Sequence, residues 1–153
     1  MSLPQQCVAD TIEVIEAKEN AFNLKKVLLC VGCIDLVINI FNGIVTMNNS
    51  YYFIHFLFNI MICLGLIGVN NYNHSLTSCY NCYIIIEIIG KGILILYTPI
   101  NTFYFVISIL GIFVNLYIFK LINDFKKALM RLEPEDIQEL KNGWKPIKHI
   151  VIV

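Results

Sequence analysis

Four long apolar stretches alternate with short polar or turn-forming segments along the chain. They cover residues 27–47, 51–69, 80–98 and 102–120. The hydrocarbon of a bilayer is about 30 Å thick and an α-helix rises about 1.5 Å per residue, so roughly 20 apolar residues cross it once. The pattern therefore predicts four transmembrane helices.

The apolar stretches contain β-branched residues, which would favour strands in water, as in residues 83–86. In lipid, however, an open sheet edge leaves backbone groups without hydrogen-bond partners. A membrane barrel would show short segments of alternating polarity, whereas these runs are continuously apolar. We therefore expect an all-α fold, a four-transmembrane-helix bundle.

Polar segments flank the bundle at both ends. We expect residues 1–26 to form a cytoplasmic N-terminal segment, residues 27–120 the transmembrane domain, and residues 121–153 a cytoplasmic C-terminal helix and tail. Between residues 121 and 132, apolar side chains recur at helical spacing against basic ones, which predicts that span four continues as an amphipathic interfacial helix. Pro134 and the acids around it predict a second, short helix, which Gly143 ends.

The composition agrees with a membrane protein. Hydrophobic residues make up 58% of the 153-residue chain, charged residues only 14%, and the mean hydropathy is +0.70. An ordinary soluble domain is less apolar than this. Asp35, Glu87 and Lys91 are the only formal charges between residues 27 and 119. Because the first 20 residues are polar and acidic, we expect no cleaved signal and expect span one to act as the anchor.

The basic residues near the ends of the spans predict the topology. They precede span one and follow span four, at Lys25, Lys26, Lys120, Lys126, Lys127 and Arg131. Basic residues close to a span stay on the cytoplasmic side. We therefore expect both termini in the cytoplasm, which agrees with an even number of crossings.

The three intramembrane charges are the first candidates for a site, because ionisable groups are costly in lipid. Asp35 and Lys91 lie at similar depth, and Glu87 stands four residues before Lys91 on one face of span three. We predict a buried cluster of Asp35, Glu87 and Lys91 that joins spans one and three. We interpret it as a polar clamp that orients helices or docks a partner; a proton relay or ion pathway is the alternative.

Small and amide residues within the spans predict packing surfaces. Gly65 and Gly68 are expected to mark a seam between helices, and amides such as Asn39 to hydrogen-bond between helices. Gly90 and Gly92 flank Lys91, where they either admit a neighbouring helix or loosen span three.

The chain has six cysteines, and the predicted topology places all of them in the cytoplasmic half of the protein. Disulfides are disfavoured in that reducing compartment. Juxtamembrane Cys79 and Cys82 favour reversible palmitoylation, with inert thiols as the alternative. A zinc site would need two further ligands, such as Cys30 and Cys33, at the right depth. We expect no bound metal.

The chain ends in an apolar run that includes Val151, Ile152 and Val153. Such a C-terminal segment is able to add as a strand to a partner's sheet edge, as ligands of PDZ domains do. The competing interpretation is a tail that packs on its own protein or complex.

Several features together are similar to a known pattern. They are Cys30 and Cys33 at the entry to span one, residues 64–68, the polar loop 70–78, and residues 116–129. This arrangement resembles the lysosome-associated four-span transmembrane proteins and their insect relatives. The resemblance implies endosomal or lysosomal membranes and a role in sorting or regulating other membrane proteins. The chain lacks the proline-proline-x-tyrosine motifs with which that family recruits ubiquitin ligases.

The sequence contains no pattern typical of a hydrolase triad, a phosphate loop or a cofactor site. We therefore expect a non-enzymatic, multi-pass tetraspan, acting as a scaffold or in trafficking and regulation. An accessory subunit of a large, respiratory-type membrane complex is the alternative, and a small transporter is a third interpretation. The expected partners are the lipid bilayer and a membrane protein or second copy of the chain, with no nucleic acid and no cofactor. The expected location is the endosome, lysosome or plasma membrane, with the mitochondrial inner membrane as the alternative.

Overall fold

The computed structural model describes residues 3–45, 52–97 and 102–146, which form five α-helices. They are α1 (Leu3–Val45), α2 (Tyr52–Asn70), α3 (His74–Tyr97), α4 (Thr102–Met130) and α5 (Pro134–Lys141). No strand occurs in these ranges. The predicted all-α class is therefore confirmed.

Two of the helices are long and apolar enough to cross a membrane, judged by length and composition. The qualifying segments are Phe53–Asn70 in α2 and Phe105–Met130 in α4. Over the described residues, α1 and α3 contain no such segment. The sequence pattern had predicted four crossings, and two of them meet this measure.

Among α1 to α4, helices that are consecutive in the chain pack against each other, and α1 also packs against α4. This closes a bundle in which α1 and α3 lie on a diagonal, as do α2 and α4. Helix α1 begins well before the predicted span one and is about 65 Å long at 1.5 Å per residue. Its early turns are held in the bundle because Ala17, Ala21 and Leu28 lie on one buried stripe.

Helices α2 and α3 approach each other closely where the sequence predicted a seam of small residues. A Cβ atom added at Gly65 would lie 2.3 Å from the Cβ of Tyr80. One added at Gly68 would lie 2.4 Å from the backbone nitrogen of Thr77. Glycine at both positions therefore allows the backbones to meet. Among the described residues no neighbouring atom lies within 4 Å of the corresponding position at Gly90 or Gly92, so neither glycine is a contact point for another described helix.

The turn between α2 and α3 is tightly held. Asn73 caps α3, since its side-chain oxygen accepts the N–H of Leu76 at 3.1 Å. Tyr72 adopts a φ of 51°, which is uncommon for a residue with a Cβ. Its ring stacks on Phe125 at 6.2 Å, and the Lys25 ammonium lies 4.4 Å from the ring centroid. These contacts join the turn to α4 and α1.

Helix α4 continues past residue 120, as predicted, but its apolar face packs inside the protein. Ile122, Phe125 and Leu129 are buried in the core that the other helices share. The segment is therefore part of the bundle. The prediction of an interfacial helix had assigned this face to lipid, because the amphipathic spacing is the same in either case.

Helix α5 begins and ends where the sequence predicted. Pro134 is its first residue, and the N–H of Glu133 is accepted by the Asp136 carboxylate at 3.2 Å. Gly143 follows the helix with a φ of 95°, a conformation that suits glycine. The chain then returns to α1, where the ring of Trp144 meets that of Phe22 edge-to-face at 6.3 Å.

Candidate functional site

A hydrogen-bond network lies within the bundle, around the carboxylate of Asp35 on α1. The Tyr80 hydroxyl donates to its Oδ2 at 3.1 Å, and the Tyr83 hydroxyl donates to its Oδ1 at 3.4 Å. The amide of Asn39 donates to the Tyr83 hydroxyl at 2.5 Å. Both carboxylate oxygens thus have a donor, and the chain of bonds extends one turn along α1.

The two tyrosines reach Asp35 because they stand three residues apart on one face of α3. Both are fully buried, and their rings stack at 6.0 Å with an interplanar angle of 8°. Since α1 and α3 lie diagonally, the hydrogen bonds of these two long side chains form a bridge between the helices, and the Tyr80 ring also lies close to Gly32 of α1. The bridge therefore fixes the separation of the two helices across the bundle.

The other two candidate residues pair with each other. Lys91 Nζ lies 2.7 Å from Glu87 Oε1, at the i, i+4 spacing within α3. The lysine side chain lies against α4, since a Cβ at Gly111 would be 3.2 Å from its Nζ. The second oxygen of Glu87, Oε2, is buried and has no hydrogen-bond partner among the described residues.

The structure therefore brings the predicted residues together in a different arrangement. Glu87 and Lys91 form an ion pair directed toward α4, while Asp35 is bonded to tyrosine hydroxyls on the diagonal helix. Tyr80 and Tyr83 were not among the predicted site residues. They precede Glu87 by seven and four residues, which places all three on one helix face, so the sequence did contain a signal for them.

Both cysteines proposed for acylation lie in the first half of α3 as free thiols. Cys79 is half-buried and Cys82 is exposed. In the part of the chain that the structure describes, no group of His, Cys, Asp and Glu side chains is arranged to hold a metal ion. Palmitoylation of the two thiols stays a prediction. Val151, Ile152 and Val153 lie outside the described residues.

A second polar cluster joins α5 to the early turns of α1. Lys18 Nζ lies 2.6 Å from Asp136 Oδ1 and 2.7 Å from Glu139 Oε2, and the lysine is only 8% exposed. Burial lowers the pKa of Lys18, but the bonds to the two carboxylates outweigh it and raise the pKa above 10.5. The bond from Lys18 lowers the pKa of Asp136 below 3.8.

The sequence did not indicate this contact of Lys18 with Asp136 and Glu139, which we call the Lys18 clip. Lys18 is the only cation in a run of acids before residue 20, which was a weak signal, but its partners are more than 115 residues away. Together with the Phe22 and Trp144 contact, the ion pairs hold the short α5 on the long α1. We interpret this cluster as a structural contact, since the Lys18 ammonium binds both carboxylates.

A cavity of about 460 Å³ opens between α1 and α4, on the side of the bundle where α5 packs on α1. Asn20 and Asn23 line it from α1. Asp124 and Lys127 line it from α4, and Arg131 lines it from the residue that follows α4. Two cations and one carboxylate leave its wall with a net positive charge.

Four polar features of the described residues need a function. They are the network around Asp35, the Glu87 and Lys91 pair, the Lys18 clip and the basic cavity. None of them is arranged around an activated nucleophile. Searches for relatives add nothing to this geometry: no family model matches the chain, and neither a curated protein nor a solved structure matches it significantly.

Proposed function

We propose that this chain is a four-crossing membrane protein that acts as a non-enzymatic scaffold or trafficking regulator of other membrane proteins. One observation carries the proposal: large apolar side chains point outward from the bundle. Val37, Phe41 and Phe113 are each 65% exposed, and Leu96 is 80% exposed. Polar side chains lie inside, where Asn39 is only 6% exposed.

Such a distribution suits lipid as the solvent. Monomeric proteins in water rarely expose contiguous apolar patches of more than a few hundred Å². Here exposed apolar residues occur on each of α1 to α4. The two segments apolar enough to span, in α2 and α4, lie diagonally, and α1 and α3 complete the bundle between them. This supports four crossings.

The contacts of Lys25 support the proposed topology. Its ammonium donates to the carbonyl oxygen of Asn70 at 2.8 Å, so the start of span one and the end of span two lie at the same level. The turn at Tyr72 lies there too. Because lysines near spans are retained in the cytoplasm, this level is the cytoplasmic face. Endosomal or lysosomal membranes follow from the family resemblance.

The network at Asp35 favours a structural role for the intramembrane charges. A transport site needs a group that exchanges its partners during the cycle, commonly beside broken helices. Asp35 has a donor on each oxygen, and both donors are buried tyrosines. The proposed role is a clamp that holds α1 and α3 at a set distance, so that the outer surface of the bundle keeps one shape for a partner.

Membrane insertion and topology are tested by single-cysteine labelling in a chain whose six cysteines are replaced by serine. After the plasma membrane alone is permeabilised with digitonin, we expect an impermeant maleimide to label Ser75→Cys and Lys141→Cys. We expect it to label Ser50→Cys, on the lumenal side, only after detergent opens the organelle membranes. Ready extraction of the protein by alkaline carbonate would contradict insertion. Labelling of Ser75→Cys and Lys141→Cys from opposite sides would contradict an even number of crossings between them.

An accessory subunit of a larger membrane complex is the second candidate, and exposed residues early in α1 favour it. Ile12 and Ile15 are 59% and 49% exposed, and Ile12 lies about 22 Å before the predicted span. Apolar side chains so far from lipid suit a protein partner. Gentle extraction, native electrophoresis and mass spectrometry separate the two functions: a subunit co-migrates with fixed partners at fixed stoichiometry, and a trafficking protein does not.

A further inference from the structure

The cavity between α1 and α4 lies at the level where lipid headgroups begin. On α1 it ends at Val27, the first residue of the predicted span one. Asn23 stands about 6 Å beyond that level, and Lys127 and Arg131 stand about 4 Å and about 10 Å beyond Asp124, which lines the same end of the cavity. The headgroup layer of one leaflet is about 5–8 Å thick. The inner half of the cavity therefore lies in this layer, within reach of the longer basic side chains.

Polar side chains lie at both ends of the cavity. Because α1 and α4 run in opposite directions, Leu24, Val27 and Asp124 line the end toward the membrane, and Ala17, Asn20 and Arg131 line the end toward the cytoplasm. Lys127 stands between the two ends. Leu24 and Val27 lie where the acyl chains of a phospholipid would begin, and both cations lie on the cytoplasmic side of that level.

The cations of the cavity are available for a ligand. Lys127 lies in the last turn of α4, Arg131 directly follows the helix, and both side chains are exposed. Among the described side chains neither forms an ion pair, in contrast to Lys18. Asp124 is the single carboxylate in the wall and lies on the membrane side of both cations.

From this geometry we propose that the cavity binds the headgroup of an anionic phospholipid of the cytoplasmic leaflet. Lys127 and Arg131 hold the phosphate, and Asn20 and Asn23 donate to its ester and glycerol oxygens. Phosphatidylserine is the anionic phospholipid that serves as the probe. The proposal rests on the membrane insertion proposed above, and it adds a specific lipid site on the cytoplasmic face.

The test measures lipid affinity of the full chain in neutral detergent micelles. Phosphatidylserine or phosphatidylcholine is titrated, and the bound fraction is read by native mass spectrometry. A basic side chain near an anionic lipid contributes about 1 kcal/mol, or about fivefold in affinity. We expect Lys127→Gln/Arg131→Gln to weaken phosphatidylserine binding roughly 25-fold and to leave phosphatidylcholine binding unchanged.

A matched control removes two charges from the same helix outside the cavity. Lys120→Gln/Lys126→Gln loses the same net charge, and neither residue lines the cavity. We expect it to weaken phosphatidylserine binding less than threefold. Equal losses in the two double variants would show only general attraction between a basic surface and an acidic lipid, and would overturn the proposal.

A second variant blocks the space and leaves every charge in place. Asn23 is exposed at the cavity wall, so Asn23→Phe fills the cavity without disturbing the core. We expect at least a tenfold loss of phosphatidylserine binding, with an unchanged unfolding midpoint. Undiminished binding by Asn23→Phe would overturn the proposal even if Lys127→Gln/Arg131→Gln failed to fold.

Inorganic phosphate distinguishes a lipid site from a site for a soluble anion. We expect inorganic phosphate at about 10 mM to leave the bound phosphatidylserine in place, since burial of its acyl chains beside Leu24 and Val27 also holds the lipid. Displacement of the lipid by phosphate would overturn the assignment to a lipid. If the chain fails to insert in the labelling experiment, the proposed function fails first; insertion without a preference for phosphatidylserine refutes the lipid site alone.

Discussion

Gly65→Ala tests whether the close approach of α2 and α3 holds the bundle together. The added Cβ would lie 2.3 Å from the Cβ of Tyr80 and 3.0 Å from its Cα. Non-bonded carbon atoms pack at about 3.5–4.0 Å, so the two helices must move apart by about 1 Å at least. A rotation of the Tyr80 side chain cannot relieve this contact, because the Cα and Cβ of Tyr80 are themselves the contacting atoms.

The expected loss of stability has two sources, overpacking at residue 65 and the loss of the contacts around that residue. Extra atoms forced into a packed interface cost about 1–3 kcal/mol. Displacement of Tyr80 also lengthens its hydrogen bond to Asp35, which is 3.1 Å in the native protein. We therefore expect Gly65→Ala to lower the free energy of unfolding by an amount near the upper end of that range.

Gly90→Ala is the matched control, because it makes the same chemical change within a long helix of the same bundle. Among the described residues no neighbouring atom lies within 4 Å of its added Cβ. Any effect of alanine on helix propensity is shared by the two variants, so their difference isolates the contact with Tyr80. We expect Gly90→Ala to be as stable as the native protein or slightly more stable.

The assay is unfolding by SDS in mixed micelles, followed by the rate at which a thiol reagent labels half-buried Cys79 of α3. The midpoint should fall for Gly65→Ala and stay in place for Gly90→Ala. Equal midpoints would refute the claim that glycine is needed at residue 65, and with it the close contact of α2 and α3.

Two further predictions concern the polar contacts. Tyr80→Phe removes one donor from the Asp35 carboxylate and should cost about 1–3 kcal/mol in the same SDS assay, whereas Tyr117→Phe on the exposed face should change the midpoint little. Docking of α5 should depend on pH at both extremes, and the single tryptophan of the chain, beside Phe22, reports it by fluorescence. The lowered pKa of Asp136 means that its contribution is complete above pH 3.8 and is lost as the pH falls through the lower folded value. The raised pKa of Lys18 means that its contribution is complete below pH 10.5 and is lost as the pH rises through the higher folded value. A tryptophan signal that is unchanged from pH 7 to pH 2 would refute the acid limb.

Local features of the fold were predictable because they depend on spacing within one helix. The length of each apolar run predicted the helical segments, and Pro134 and Gly143 predicted the ends of α5. Spacing alone also placed Glu87 beside Lys91, whose side chains lie 2.7 Å apart. In each case the relevant distance is set by the geometry of a single helix, which the sequence specifies directly.

Contacts between helices were not predictable in the same way. The sequence indicated that Asp35 needs a partner and offered Lys91, whereas the structure supplies Tyr80 and Tyr83. It gave no reason to join Lys18 to Asp136, since 118 positions separate them. Which side chains meet across a bundle depends on the rotation and axial offset of each helix.

By itself, then, the sequence determined that this chain is helical and where its apolar runs and its charged ends lie, because those properties follow from residue type and period. Tertiary structure decided the rest: the diagonal tyrosine bridge, the Lys18 clip and the basic cavity between α1 and α4. The physical reason is that rotation and offset are settled by many small packing terms at once, such as the room left by Gly65, and no single residue pattern records their sum.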